Sequence, residues 1–287
     1  MTQPTNPTAH DGPTESSLWL WAGQSPASQS EADFQPYLEL FPLATDEPRG
    51  AVLICPGGGY ASRAEHEGAV VARRFNEDGF HAFVAQYRVA PQRHPAPLFD
   101  VARAIRIIRH RAAQWKVEPS KIAVCGFSAG GHLAASLGVH FNEATPAAGS
   151  TPASTPGSTP DGLDALSCRP DALILCYPVI SAVASAHAGS FHNLMGTDAP
   201  PDLRQKMSLE LQVTPATPPA FLWHTFDDMA VPVENSLLFA HALRRQSIPF
   251  EMHIYPTGRH GLGLAEEDAH VATWMPLCCE WLRSMGW

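Results

Sequence analysis

Apolar residues in this chain fall into short, dense runs separated by amphipathic stretches. AVLICP (51–56), FHAFVAQYRV (80–89), KIAVC (121–125), DALILCYPV (171–179), FLWHTF (221–226) and FEMHIYP (250–256) have strand length and strand composition. YLELFPL (37–43) alternates instead, which suits an edge strand ended by Pro42. Between the runs the period lengthens. Leu98, Val101, Ala102, Ile105 and Ile108 recur at helical spacing and predict a helix reaching about Trp115. Further helices are expected over 66–78, 129–140, 232–246 and 267–285. Strands alternating with helices imply an α/β fold, its mostly parallel sheet covered on both faces.

Two stretches depart from this rhythm. Residues 1–35 are polar and proline-rich and read as a loosely ordered lead-in, with Leu18-Trp19-Leu20-Trp21 expected to dock on the body. Residues 143–170 contain the low-complexity segment ATPAAGSTPASTPGSTPDG. Lying between a helix and the next strand, they read as a flexible insertion at the N-terminal edge of the sheet, away from the ligand face. Residues 180–217 follow a strand, emerge at the ligand face and read as a small cap over the site. Residues 36–287 are thus expected to form a single domain, although 287 residues would allow two.

Charge narrows the partners. The formal net charge is −9, with only three lysines and no basic stripe, which argues against a nucleic acid. No apolar run approaches the roughly 18 residues of a membrane span. The first residues show no basic and apolar segments of a secretory signal, so a cytoplasmic location is expected. Of six cysteines, Cys55, Cys125 and Cys176 sit in strand runs as small buried hydrophobes. No CxxC or HExxH spacing supports a metal site. Proline, 27 of 287 residues, is nearly twice its usual share and must concentrate in loops and at element borders.

The chemistry is carried by four segments. Gly126-Phe127-Ser128-Ala129-Gly130-Gly131 joins a predicted strand to a predicted helix. In that context G-x-S-x-G is a nucleophile turn: flanking glycines let the chain turn tightly, and the serine projects at a helix N-terminus. The alternative, a plain N-cap serine, fits a lone motif better than one at this junction. Pro56-Gly57-Gly58-Gly59-Tyr60 ends an earlier strand, and bare glycines let backbone N–H groups face an oxyanion. A phosphate cradle is the competing reading, but neither GK[ST] nor GxGxxG accompanies it. A base and an orienting acid should follow in the order Ser, Asp or Glu, His. Asp228, in Asp227-Asp228-Met229-Ala230-Val231-Pro232, is the chosen acid, and Asp227 is the runner-up, better suited to stabilising the turn. His260, in a Gly-flanked loop after the last strand run, is the candidate base.

Other residues have structural readings. Tyr87-Arg88, Pro91 and Asp100 are expected to brace the edge of the site through an ion pair and a rigid turn. His66-Glu67 begins a helix as a cap or a buried hydrogen-bond partner. Tyr60 and His192 are candidate substrate contacts.

PGGGY, HEG, YRVAP, HPAPLFD, GFSAGGHLAA, YPVIS, TPPAFLWHTFDD, VPVENS and GRHGLGLA, in that order, resemble the bacterial α/β-hydrolase esterases, and within them the acetyl-esterase and acetylxylan-esterase-like group. The resemblance covers roughly residues 36–285. It implies an α/β-hydrolase fold with an eight-stranded sheet and no cofactor. Its nucleophile maps to Ser128, its acid to Asp228 and its base to His260. Its oxyanion donors map to the N–H groups of Gly58, Gly59 and Ala129. Pro56 stands where the lipase branch has histidine. The expected function is hydrolysis of a short-chain, acetyl ester of a sugar or xylo-oligosaccharide, a small-molecule partner. A small formamidase or amidase on the same fold and a non-catalytic binding module are the rival expectations.

Overall fold

The computed structural model describes residues 16–21, 31–144 and 162–287. In chain order the elements are β1 (Ser17–Trp19), β2 (Tyr37–Phe41), β3 (Arg49–Cys55), α1 (Ala69–Glu77), β4 (His81–Gln86), α2 (Ala96–His110), α3 (Ala112–Trp115), β5 (Val117–Phe127) and α4 (Ala129–His140). They continue as β6 (Ala172–Cys176), α5 (Ala188–Met195), α6 (Pro201–Lys206), β7 (Ala220–Thr225), α7 (Glu234–Arg245), β8 (Phe250–Tyr255) and α8 (Trp274–Ser284).

The eight strands make one sheet in the order β1-β2-β4-β3-β5-β6-β7-β8. Only β2 runs antiparallel to its larger neighbour β4, and β1 runs antiparallel to β2. From β4 to β8 every pairing is parallel. This is the α/β-hydrolase arrangement expected from the sequence.

Alternation along the strands divides the core in two. Ala51, Leu53, Cys55, Val124 and Leu173 face α2, α4 and α7. Val52, Ile54, Cys125, Ile174 and Trp223 face α1 and α8. Both faces are covered, which is why these strands read as continuous apolar runs.

The lead-in is only partly as expected. Ser17–Trp19 forms β1, an edge strand pairing with Tyr37–Glu39. Leu20 and Trp21 are buried. The Trp21 indole N–H donates to Asp100 Oδ1 at 2.8 Å, and Arg103 Nε donates to the Leu20 carbonyl at 2.8 Å. A three-residue segment has too few alternating positions to read as a strand, so the pattern marked it only as a docking patch. The rest of the lead-in that the structure describes is a 3₁₀ turn at Glu31–Asp33 and its link to β2.

Residues 145–161 of the expected insertion lie outside the described residues, but its flanks are held. Arg106 donates to the carbonyls of both Ala144 and Leu166, and Arg109 donates to Ser167 O and Asp171 Oδ2. The last helix begins at Trp274, not 267. Pro276 is tolerated only in a first helical turn, and Asp268 Oδ1 instead accepts the N–H groups of His270 and Val271. Residues 180–217, expected as a cap, contain α5, α6 and a 3₁₀ turn at Leu209–Leu211. Among the described residues, no helix is long and apolar enough to cross a membrane.

Candidate active site

Ser128 sits between β5 and α4 at φ 52°, ψ −118°, outside the usual regions for a side-chain-bearing residue. Backbone packing forces this turn. A Cβ on Gly126 would lie 2.1 Å from Gly130 O, and one on Gly130 would lie 2.1 Å from Cys55 O. The glycines let β5, α4 and the end of β3 approach to backbone contact. The N–H of Ser128 donates to Cys176 O at 3.0 Å, and its carbonyl accepts from Val179 N at 3.0 Å.

The side chain of Ser128 meets a histidine from the other end of the chain. His260 Nε2 lies 2.7 Å from Ser128 Oγ, and His260 Nδ1 lies 2.6 Å from Asp228 Oδ2. Asp228 is 6% exposed. Burial opposes its ionisation, but hydrogen bonds from His224, His260 and the Val231 N–H, with the nearby His260, outweigh it. They hold the carboxyl well below the usual carboxylate range. As a carboxylate it can only accept. Nδ1 of His260 therefore carries the proton, and Nε2 accepts from the Ser128 hydroxyl.

The loop after β7 fixes this acid. Asp228 Oδ1 accepts the N–H groups of Ala230 at 2.9 Å and Val231 at 3.0 Å. Asp227 turns away and accepts the Gly258 N–H at 2.7 Å, tying its loop to the one that carries His260. Asp228 thus contacts His260, and Asp227 contacts the loop that carries it.

The glycine loop passes beside Ser128. Gly58 and Gly59 have φ +117° and +64°, and Tyr60 follows at 57°. Among the described residues the N–H groups of Gly58, Gly59 and Ala129 have no acceptor in the chain, whereas the Gly57 N–H is taken by Glu67 Oε2 at 2.7 Å. Asn193 Nδ2 donates to the Gly59 carbonyl at 2.9 Å, so α5 holds the loop from the cap side.

Of the two candidate substrate contacts, Tyr60 is not where the sequence suggested. Tyr60 is 1% exposed, and its hydroxyl donates to His132 Nδ1 at 2.9 Å. His192 is exposed on α5; its neighbour Phe191 packs edge-on to His132. His187 precedes α5 as its N-cap. Burial first, then the neighbouring His260, pushes its pKa down, with Asp228 opposing. Its Nδ1 accepts the Ser190 N–H, which leaves Nε2 as the protonated nitrogen.

Sequence reading also missed His224. It is wholly buried, receives the Ser236 hydroxyl at Nδ1 and donates from Nε2 to Val231 O at 2.9 Å. Its Nε2 lies 3.5 Å from Asp228 Oδ2. Position four residues before Asp228 was the available signal, but a histidine within an apolar run reads as core. At the far edge, Arg88 and Asp100 form the expected buried pair at 2.7 Å. Among the described residues, no group of three or more His, Cys, Asp or Glu side chains could hold a metal ion.

The BD-FAE family model matches residues 40–243. The chain belongs to the BD-FAE family. The crystal structure of an acetyl ester-xyloside bifunctional hydrolase from Caldicellulosiruptor lactoaceticus shares this BD-FAE architecture with a TM-score of 0.85 and 44% identity. That match covers 96% of this chain and 97% of the other. Endo-1,4-beta-xylanase B from Butyrivibrio fibrisolvens is 37% identical over 87% of this chain and 38% of its own length. An acetylxylan esterase from Xylanibacter ruminicola is 29% identical over 84% of this chain and 45% of its own length. This BD-FAE chain therefore spans less than half the length of these two curated relatives.

Proposed function

We propose that this chain is a serine esterase that hydrolyses short-chain carboxylic esters, with acetyl esters of xylo-oligosaccharides as its substrate class. The observation that carries this reading is the relay Ser128–His260–Asp228, hydrogen-bonded end to end at 2.7 and 2.6 Å. It supplies a nucleophile, a base and an orienting acid. The acetyl and xylose part of the reading is supported by the two similar proteins described as an acetyl ester-xyloside hydrolase and an acetylxylan esterase.

The chemistry follows from the atoms. Ser128 Oγ attacks the ester carbonyl carbon while its proton passes to His260 Nε2. Negative charge gathers on the former carbonyl oxygen, which the N–H groups of Gly58, Gly59 and Ala129 receive. Each such donor contributes on the order of 10²–10³ in rate. The imidazolium, stabilised by the Asp228 carboxylate, returns its proton to the departing alcohol oxygen. An acetyl group remains on Ser128. Water, losing a proton to His260 Nε2, attacks it and releases acetate, and Ser128 recovers its hydrogen.

The reading extends to a cytoplasmic location. Six free, buried cysteines are consistent with a reducing compartment.

A hydrolysis panel tests the proposal. It compares acetylated xylo-oligosaccharides, p-nitrophenyl acetate, butyrate and octanoate, and an N-formyl aromatic amine. Acetyl esters should be turned over fastest. A clear preference for octanoate or for the amide would overturn the substrate class.

A further inference from the structure

We propose that Glu67 is a positioning residue for this reaction, its buried carboxylate clasping the oxyanion loop with one oxygen and the His260 loop with the other. The inference rests on the esterase reading of Ser128, His260 and the glycine loop.

Glu67 belongs to the HEG segment that no catalytic role has absorbed, and it is 2% exposed. Oε2 accepts the Gly57 N–H at 2.7 Å, one residue before the free N–H groups of Gly58 and Gly59. A Cβ on Gly57 would stand 2.7 Å from that oxygen, 2.9 Å from Phe127 O and 3.1 Å from Ser128 Cβ, so Glu67, the loop and the nucleophile pack in one layer. Oε1 accepts the Tyr177 hydroxyl at 2.6 Å, and that same hydroxyl accepts the Gly263 N–H at 2.8 Å. Gly263 lies three residues past His260. The Tyr177 ring also meets the His260 ring edge-on at 5.1 Å.

Two further observations agree. Tyr177 has φ 36°, a left-handed backbone that an aromatic residue rarely adopts and that persists only where its surroundings hold it. His66, beside Glu67, donates from Nε2 to the Gly261 carbonyl at 3.0 Å. The segment thus holds the chain just after His260 at two points, Gly261 and Gly263. A carboxylate suits the task because it offers two acceptors and no donor. A carboxamide must present its NH₂ either to the Gly57 N–H, which opens that arm, or to the Tyr177 hydroxyl, whose own proton then loses its acceptor.

The test measures kcat and KM on p-nitrophenyl acetate for the full chain, for Glu67→Gln and for Tyr177→Phe. Thermal melting and amide hydrogen exchange over residues 57–62 and 258–264 accompany it. Glu67→Gln should lower kcat by about 10–100-fold, the scale of a small misplacement of reacting groups, with KM near wild type and a cooperative melt. Exchange should quicken in both segments. Tyr177→Phe should lower kcat less, because the Gly57 arm survives, and the double variant should be no worse than Glu67→Gln. A wild-type kcat in folded Glu67→Gln, or faster exchange confined to residues 57–62, would overturn the clasp. If Glu67→Gln does not fold, Tyr177→Phe decides: kcat must fall at constant KM, and an unchanged kcat overturns it. A wild-type protein without Ser128-dependent turnover would instead overturn the esterase reading, while the exchange comparison would still decide the clasp.

Discussion

Ser128 is held by backbone contacts within its own turn, whereas His260 is held by side chains gathered from across the chain. On the Ser128 side, Gly126 touches Gly130 and Gly130 touches the end of β3, all backbone against backbone. On the His260 side, Asp228 fixes the ring, Asp227 fixes Gly258, His66 fixes Gly261, and Tyr177 fixes Gly263. One arm is steric and stiff. The other is a set of separable hydrogen bonds. Damage to the first should therefore be lost as folding, and damage to the second as graded activity.

The largest effect on stability should come from Gly130→Ala. Its Cβ would stand 2.1 Å from Cys55 O and 2.5 Å from Pro56 O, and neither backbone can yield cheaply. Overpacking costs about 1–3 kcal/mol and sometimes more; urea denaturation should show a loss at the upper end of that range or beyond. A variant of wild-type stability would break the comparison.

On the His260 side, Asp228→Asn should leave the melt nearly unchanged but cut kcat by about 10⁴-fold, the usual consequence of a wrong histidine tautomer. Asp227→Asn keeps an oxygen for the Gly258 N–H and should cost less than about 10-fold in kcat. Equal losses at the two positions would show that the two aspartates share a role.

A smaller, graded effect is expected with pH. Burial pushes the pKa of His132, on α4, down to about 4, where it stays neutral between Tyr60 and the Met207 carbonyl. The unfolded chain binds this proton more readily, near about pH 6.5. Stability is therefore complete above that pH and is lost as pH falls toward 4, by up to about 3 kcal/mol. Burial also pushes the pKa of His94 to about 4, with the same sign. The Asp228 carboxyl, held far lower, stays ionised throughout. Thermal melts from pH 7 to 4.5 should slope accordingly, and His132→Asn should flatten part of that slope.

Legibility in the sequence followed the same division. The parallel strands, α4 and the Ser128 turn are local patterns, and short motifs carry them. Asp228 and His260 could be chosen from chain order and from their positions at strand ends. Glu67 was legible only as a cap or buried hydrogen-bond partner, which its buried carboxyl is, and the partners of Tyr177 and His224 were not legible, because each acts through residues distant in sequence. Tyr60 was misread for the same reason: beside the glycines it looks like a substrate contact, and only the fold brings His132 to its hydroxyl. β1 was missed because three residues show no period.

The central claim is that Ser128 carries the acyl group. Rapid acid quenching during turnover of p-nitrophenyl acetate, followed by peptide mass spectrometry, tests it most directly. An acetyl adduct on the peptide containing Ser128, absent together with activity in Ser128→Ala, is the predicted result. Turnover that persists in Ser128→Ala, or an adduct on another residue, would contradict it.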